Sequence, residues 1–218
     1  MVKKILALII LVSLCCVSVI LGVGYSYYKD VLETKPLEQT FDEIRSHEDY
    51  VKIEEISPHF LNAIVAVEDR RFLDHWGFDV ISLSRAFFTN LSAGEIVQGG
   101  STITQQLAKN LFFSSNQTYL RKSAELFMAL TIEYLYTKPE ILEIYSNIIY
   151  LGKGYYGVEE AAQGYFNKSA KALTVEEAAY IAGLAQAPSI YSNNAELGLR
   201  RQNIVLEALD EVGYVLVP

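Results

Sequence analysis

An uninterrupted apolar segment near the N-terminus constrains this chain more than any other feature of its sequence. Residues 5–24 contain no charged side chain in twenty positions. A helix of that length, rising about 1.5 Å per residue, matches the hydrocarbon core of a membrane, which is about 30 Å thick. Tyr25, Tyr27 and Tyr28 follow directly, as aromatic residues do at a membrane–water interface. The sequence therefore predicts a retained transmembrane anchor.

Two alternatives to a retained anchor fit these residues less well. The apolar stretch of a cleaved signal peptide is usually about 7–15 residues long, which is shorter than this one. A lipidated cysteine is normally preceded by a small residue, whereas Leu14 precedes Cys15. Lys3 and Lys4 come before the apolar segment. The positive-inside rule therefore places the N-terminus inside the cell and the chain from about residue 29 onward outside.

The remainder of the chain is acidic, with one exception. The formal net charge of −8 argues against a broad basic surface for nucleic acid. The only two cysteines are adjacent, which excludes a disulfide framework and a zinc site with four thiolates. Residues 96–124, by contrast, contain no Asp or Glu and carry Lys109, Arg121 and Lys122. This stretch is either a solvated surface or a place where an anionic ligand binds.

Hydrophobic spacing divides the chain beyond the anchor into a connector and a helical domain. Residues 29–56 are polar and weakly periodic, with a short strand predicted around residues 50–53. Ser57 followed by Pro58 is typical of a helix start. Further helices are predicted at about 79–92, 101–113, 118–136, 139–147, 155–165, 174–186 and 195–211. The expected class is mainly α, with residues 1–28 as cytoplasmic stub and anchor, 29–56 as connector and 57–218 as the functional domain.

A glycine-rich sequence at residues 152–158 has the spacing of a phosphate-binding loop without its context. Gly152, Gly154 and Gly157 match the pattern of a dinucleotide-binding turn. Such a turn joins a strand to a helix inside a βαβ unit, but here a predicted helix precedes it and no βαβ units follow. We interpret the glycines as a tight turn between helices and expect no nucleotide cofactor.

The first candidate for chemistry is a carboxylate at the end of an apolar helix. Glu68 and Asp69 follow a run of apolar residues and precede two arginines. Burial at this point would raise the pKa of a carboxylic acid, which suits general acid–base catalysis. A solvated helix terminus with arginine partners is the structural alternative. His75 lies among acids as a metal ligand could, but a single histidine in such company more often forms a hydrogen bond.

A second cluster places hydroxyls and amides on one face of a helix. Two glycines precede Ser101 and Thr102, whose hydroxyls can cap the helix that follows. Helical spacing then aligns Thr102, Gln105, Gln106 and Lys109 in one polar stripe. Such a helix N-terminus suits phosphate or sugar oxygens. A capped surface helix would have the same pattern.

A third cluster combines a carboxylate with two cations. Glu125 follows Arg121 by four positions and Lys122 by three, so all three side chains share one helix face. As structure, this arrangement is an intrahelical salt bridge on a surface. As chemistry, the cations suit a diphosphate.

Taken in order, these clusters resemble the motifs of peptidoglycan glycosyltransferases, glycosyltransferase family 51. The segments that carry the resemblance lie between about residues 56 and 214 and read EDRRFLDHWGFD, GGSTITQQLAKN, RKSAE, KPEILEIYSNIIYLGKGYYGVEEAA and EEAAYIAGLAQAPSIY. The resemblance implies a lysozyme-like, two-lobed helical domain whose small lobe partly enters the membrane. It also implies polymerisation of lipid II, the lipid-linked disaccharide-pentapeptide, into glycan strands. No room remains for a transpeptidase domain, so we expect a monofunctional enzyme.

The resemblance also implies roles for individual residues. Glu68 matches the general base and Asp69 its acidic companion. The residues that match the cleft-lining second motif are Gly100, Ser101, Thr102, Gln105, Gln106 and Lys109. In the third motif, Arg121, Lys122 and Glu125 serve the donor pyrophosphate, and Glu125 is expected with Glu68 to be a catalytic residue. The sequence departs from the family pattern at Gln117, where many members carry a cation, at Ser146 and at residues 193–195.

The implied reaction displaces undecaprenyl pyrophosphate with inversion and forms a β-1,4 link. Glu68 would activate the 4-hydroxyl of the acceptor, on the face opposite the leaving group. Lys109, Arg121 and Lys122 would neutralise the departing diphosphate. A magnesium or manganese ion near Glu125 is a further option.

The expected location is the bacterial cytoplasmic membrane, with a single span and the catalytic domain on the outer face. The expected partners are lipid II, the growing strand and membrane lipids, with wall transpeptidases as candidates and no nucleic acid. A lysozyme-like lytic enzyme and an inactive membrane-anchored scaffold are the alternatives. The cationic third motif argues against the first, because a lytic substrate has no pyrophosphate, and intact Glu68 and Glu125 argue against the second.

Overall fold

The structure, a computed structural model, describes residues 2–95, 99–114 and 118–213. Eleven helices and two short 3-10 turns form the regular structure of these residues, and no strand occurs among them. The helices are α1 (Val2–Thr34), α2 (Leu37–Arg45), α3 (Pro58–Glu68), α4 (Val80–Ala93), α5 (Ile103–Phe112), α6 (Tyr119–Leu135), α7 (Lys138–Ile148), α8 (Val158–Phe166), α9 (Val175–Leu184), α10 (Pro188–Tyr191) and α11 (Ala195–Val212). The predicted mainly α class is confirmed.

The helices predicted from residue 57 onward are all present, with ends displaced by a few residues. Ser57 caps α3, because its hydroxyl accepts a hydrogen bond from the backbone N–H of His59. Thr174 and Glu177 form the capping box that opens α9. Local capping chemistry thus identified these helix starts correctly. The short helices α2 and α10 were not predicted.

Helix α1 is longer than the predicted anchor. It continues past residue 28 to Thr34 without interruption. It is long and apolar enough to cross a membrane, and its most apolar stretch is fully exposed. Gly24 and Tyr28 are its buried residues, and they lie against α6. The domain boundaries at residues 28 and 56 stay a prediction, but the helix itself does not end at the first of them.

The connector is more ordered than its weak periodicity suggested. Helix α2 places Leu37 and Phe41 in the interior, where the Phe41 ring stacks on Tyr136 at 4.5 Å. The strand predicted around residues 50–53 is absent, so that prediction is wrong. The Asn147 side chain pairs with both the N–H and the C=O of Val51, and Glu143 accepts from the N–H of Ile53. Side chains of α7 thus satisfy this backbone, and it needs no partner strand.

The hydrophobic core lies where α3 packs against α9 and α11, and α5 against α6 and α7. The large side chains that are fully buried there include Phe60, Ile64, Ile103, Leu107, Met128, Ile132, Ile141 and Tyr145. Each such side chain contributes about 1.5–3 kcal/mol on burial. This packing fixes the C-terminal end of α3 and the N-terminal end of α5, which meet beside the cleft.

A buried ion pair joins three of these helices. The carboxylate of Glu133 in α6 accepts from the Thr104 hydroxyl of α5 at 2.6 Å and from the Lys138 ammonium of α7 at 2.7 Å. The ammonium also lies over the Phe72 ring, 4.3 Å from its centre. Removing either charge would leave the other buried without its partner, so the pair holds the helices in one arrangement.

Helix α4 stands apart as a small lobe. Its exposed large side chains are Val80, Ile81, Leu83, Phe87, Phe88 and Leu91, and its buried residue is Ala86. Asp79 caps the helix by accepting from the N–H of Ile81, and it also binds Arg71 at 3.0 Å. The main body and this apolar helix give the two-lobed arrangement that the resemblance implied.

The glycine-rich turn connects α7 to α8, as predicted. Gly152, Gly154 and Gly157 have φ of 87°, 90° and 81°, values that favour glycine. A Cβ on Gly157 would lie 2.5 Å from the Asn147 carbonyl oxygen. Gly157 therefore serves a close approach of two backbone segments, which supports the interpretation of these glycines as a tight turn between helices.

Candidate functional site: a cleft beside the end of α3

A cavity of about 510 Å³ lies between the main body and the α4 lobe. Its lining combines the end of α3, the loop before α5 and one face of α11, and it includes Glu68, Ser101, Thr102, Gln106 and Arg201. Polar and charged side chains supply much of this wall. Such a lining suits a polar substrate such as a sugar chain.

Glu68 is the last residue of α3 and lies in the wall of this cavity, with partial exposure. Burial raises the pKa of its carboxyl group, while a hydrogen bond from Gln106 and the charges of Arg201 and Lys109 oppose the rise. Gln106 Nε2 donates to Glu68 Oε2 at 2.8 Å. A carboxylate with a raised pKa is a stronger base than an exposed one. The geometry therefore fits the predicted role.

A tyrosine that sequence reasoning missed sets the orientation of Gln106. The Tyr145 hydroxyl donates to Gln106 Oε1 at 3.0 Å, which leaves the amide NH₂ group to face Glu68. Tyr145 is fully buried, and this burial raises the pKa of its hydroxyl well above the usual value, so the group stays a donor. It lies within the segment KPEILEIYSNIIYLGKGYYGVEEAA that carries part of the resemblance, but no role was predicted for it.

Asp69 lies next to Glu68 in the chain, but its hydrogen-bond partners are different. Its side chain is 3% exposed, and both carboxylate oxygens lie 2.9 Å from His75 Nε2. One of them also accepts from the backbone N–H of Ile103, in the first turn of α5. Asp69 also lines the cavity, and its contacts join the end of α3 to the start of α5. The substrate-binding role that the resemblance implied for it stays a prediction. His75 forms the hydrogen bond that was expected of a single histidine.

Some residues of the second motif cap α5, and others line the cleft. Thr102 and Gln105 are buried and form the capping box of α5, and the Thr102 hydroxyl also donates to the Gly77 carbonyl. Gly100, Ser101, Thr102 and Gln106 line the cavity. Lys109 lies near enough for its charge to lower the pKa of Glu68. The predicted polar stripe thus exists, but capping occupies Gln105 within it.

The third motif forms a compact charge cluster on α6. Glu125 is 0% exposed, and its oxygens lie 3.0 Å from Arg121 and 3.0 Å from Lys122. Arg121 is also buried and donates to the Ser114 carbonyl at 3.2 Å. Lys122 is exposed and donates to the Ser101 hydroxyl at 2.8 Å. Since Ser101 lines the cavity, Lys122 carries positive charge to the rim of the cleft.

The residues around Glu125 do not fit a protein-held divalent ion. Both of its carboxylate oxygens face cations, which would repel a metal. No group of three or more His, Cys, Asp or Glu residues arranged to hold a metal occurs in the described part of the chain. The magnesium or manganese ion expected near Glu125 stays an untested prediction, and we derive no chemical step through it.

Three arginines in the cavity wall were not among the predicted site residues. Arg70, Arg85 and Arg201 all line the cleft. Arg201 follows Arg200 in α11, and only the fold brings it near Glu68. Sequence spacing carried no signal for this contact.

Two of the departures from the family pattern lie among the described residues. Ser146 is fully buried within α7. At residues 193–195, Asn194 caps α11 by accepting from the N–H of Leu197. Gln117 lies outside the described residues.

Comparison with known proteins identifies the family. The family model described as Transglycosylase matches residues 34–210, which is most of the chain. The chain belongs to the transglycosylase family. The match includes both glutamates and all three clusters, and it confirms the resemblance found in the sequence.

Curated relatives in this family include larger penicillin-binding proteins. Penicillin-binding protein 1A of Aquifex aeolicus is 49% identical over 76% of this chain and 23% of its own length. Penicillin-binding protein 1A of Escherichia coli (strain K12) is 46% identical over 76% and 20%, respectively. Penicillin-binding protein 1F of Bacillus subtilis (strain 168) is 41% identical over 84% and 26%. The chain therefore spans between a fifth and about a quarter of the length of these relatives.

Proposed function

We propose that the protein is a peptidoglycan glycosyltransferase that polymerises lipid II into glycan strands. The observation that carries this proposal is one cleft with a raised-pKa carboxylate, Glu68, in its wall and a cationic cluster at its rim. A base and a cation site on one cleft match a transfer that deprotonates a hydroxyl and expels a diphosphate.

In the proposed reaction, Glu68 removes the proton from the 4-hydroxyl of the acceptor sugar. The oxygen forms a β-1,4 bond to the anomeric carbon of the growing chain, and the bond to undecaprenyl pyrophosphate breaks on the opposite face. Gln106 holds the carboxylate through one hydrogen bond and leaves its other oxygen for the acceptor. The loss of solvent around Glu68 makes the proton transfer easier at neutral pH.

The cationic cluster receives the leaving pyrophosphate. Lys122 is exposed at the rim, and Lys109 lies close enough to influence Glu68. Glu125 is too buried to touch a ligand, so we assign it the role of holding Arg121 and Lys122 in place. Charge-assisted contacts to phosphate oxygens are strong and depend on such fixed geometry.

The register between α1 and α6 supports a lipid-linked substrate. Gly24 ends the apolar stretch and lies against Ser123, the neighbour of Lys122. If residues 5–24 cross the hydrocarbon, the cationic cluster stands at the membrane surface, where the phosphates of a lipid lie. The exposed apolar face of α4 gives a second surface for lipid contact.

The side of the membrane follows from charge. Lys3 and Lys4 precede the apolar segment, so we propose that the N-terminus is cytoplasmic and the cleft faces the outer side of the bacterial cytoplasmic membrane. Transpeptidases that act on the same wall are candidate partners there.

The decisive experiment is incubation of the full chain in detergent with labelled lipid II. We expect polymer of increasing length and no release of disaccharide from finished peptidoglycan. Glu207→Gln, a change on the exposed face of α11, is the matched control and should polymerise normally. Clearing of cell walls without polymer from lipid II would refute the proposal in favour of a lytic enzyme.

A further inference from the structure

The last turns of α1 are built into the folded domain. This docking segment comprises residues 24–35. The Tyr25 ring packs edge-on against Phe127 of α6 at 5.2 Å, and the Tyr28 hydroxyl lies 2.7 Å from the hydroxyl of Thr131. Two residues that belong to a predicted anchor thus contact α6 at positions one turn apart. A flexible tether would make no such contacts.

The docking segment also reaches α5. The Lys35 ammonium donates to the carbonyl oxygen of Leu111 at 2.7 Å and lies 5.4 Å from the centre of the Phe112 ring. The Tyr27 ring packs edge-on against Phe113 at 5.5 Å. Lys109 lies on this end of α5, while Arg121 and Lys122 lie on α6. One segment therefore contacts both helices that present the cations.

Gly24 marks the closest approach of α1 to the cationic turn. A Cβ built on Gly24 would lie 2.3 Å from Ser123 Oγ, 2.5 Å from Ser123 Cβ and 3.2 Å from the Leu120 carbonyl oxygen. Ser123 is buried and stands between Lys122 and Ala124 in the chain. Gly22, one half-turn earlier, has nothing within 4 Å of such a Cβ. The absence of a side chain is thus needed at residue 24 and not at residue 22.

We propose that Gly24 is a positioning residue for the donor pyrophosphate, because its contact with Ser123 sets where α6 presents Arg121 and Lys122. The inference rests on the proposed function and adds a role for the anchor within the cationic site. The competing explanation is that the anchor only concentrates the enzyme on the membrane. The two explanations predict different results in detergent, because detergent offers no membrane surface on which the enzyme could be concentrated.

The size of the expected effect follows from the distances. Ordinary contact begins at about 3.4 Å, so a methyl group at residue 24 must displace α1 from α6 by roughly 1 Å. A misplacement of that size can cost on the order of a hundredfold in rate, which sets the upper limit for the fall in kcat/KM. Alanine favours helices more than glycine does, so the substitution does not act by melting α1.

The test uses the full chain in detergent, with a short-tailed lipid II as substrate and a non-reacting lipid-linked sugar pyrophosphate as binding probe. Gly24→Ala should raise KM and the Kd of the probe about tenfold, with a smaller change in kcat. Gly22→Ala should match wild type. Ser123→Gly removes both atoms that the new methyl group would meet, so Gly24→Ala/Ser123→Gly should return to within about twofold of Ser123→Gly alone.

The outcomes separate this inference from the function on which it rests. If the wild type makes no polymer from lipid II, the proposed function fails. If the wild type polymerises and Gly24→Ala keeps its KM and probe affinity in detergent, only the positioning role is wrong. A loss of kcat with unchanged KM, uncorrected by Ser123→Gly, would also overturn it, because that pattern indicates a smaller folded fraction.

Discussion

Glu68 and Glu125 are the same residue type in two opposite environments. Glu68 is partly exposed in the cleft, and burial raises the pKa of its carboxyl group against one amide hydrogen bond. Glu125 is completely buried and faces two cations at 3.0 Å. The environment of Glu68 destabilises the charged form of its carboxyl group. The environment of Glu125 contains two cations that pair with a carboxylate. The difference supports the proposal that Glu68 exchanges a proton and that Glu125 acts as a structural anion.

The largest expected effect comes from Glu68→Gln. The variant keeps the shape and the Gln106 contact but removes the base, so polymerisation should fall by about 10²–10⁴-fold. Affinity for a pyrophosphate-bearing donor analogue should stay near the wild-type value, because Glu68 does not belong to the cationic cluster. Turnover near that of wild type would show that Glu68 is not the base and would make Asp69 the next candidate.

The second largest effect concerns donor affinity, which should fall in Glu125→Gln but not in Glu68→Gln. Glu125→Gln leaves the buried Arg121 without a full partner, so donor affinity should fall about tenfold and stability by about 3 kcal/mol. Glu133→Gln is the matched control, since it also removes a buried, lysine-paired carboxylate of α6. It should cost stability and spare donor affinity. If Glu125→Gln instead abolishes a magnesium response that the wild type has, the carboxylate acts through a metal and our structural role for it is wrong.

A smaller effect should come from the group behind Gln106. Tyr145→Phe removes the donor that orients the Gln106 amide, so the hydrogen bond to ionised Glu68 weakens and the pKa of Glu68 rises further. Activity is lost as pH falls through that pKa, and the acid limb of the kcat/KM profile should therefore move to higher pH. Tyr165→Phe loses a comparable bond to the Leu151 carbonyl outside the cleft. An identical shift in both variants would contradict the role of Tyr145.

The smallest effect concerns stability. Because the folded-state pKa of Glu68 is raised, the folded protein binds more protons than the unfolded chain just above the ordinary carboxyl pKa. Its stability therefore decreases as pH rises through that window. Glu68→Gln lacks this penalty, so at pH 7 its Tm in detergent should exceed that of wild type slightly. The gain should vanish near pH 4, and a lower Tm at pH 7 would speak against a strained carboxylate.

Sequence patterns were sufficient where the physics is local. Helical spacing placed Arg121, Lys122 and Glu125 on one face, and the structure has them in contact. Capping residues marked the starts of α3 and α9. The apolar run before Glu68 made a raised carboxyl pKa one of two alternatives, and burial does raise this pKa.

Sequence patterns did not predict contacts between residues that lie far apart in the chain. Tyr145 reaches Gln106 across thirty-nine positions, and Asn147 binds Val51 across ninety-six. The resemblance implied a substrate-binding role for Asp69, and no short-range pattern indicated its bonds to His75 and to the α5 backbone. Contacts of this kind depend on packing that no window of sequence contains.

The exposed apolar face of α4 has a practical consequence for anyone who handles the domain. Six large hydrophobic side chains remain uncovered there, so deleting α1 would not yield a water-soluble enzyme. The deletion would also strip Phe127 and Thr131 of their neighbours on α6. Expression and purification of a truncated chain should therefore still require detergent or nanodiscs, and aqueous buffer alone should lead to aggregation through this face.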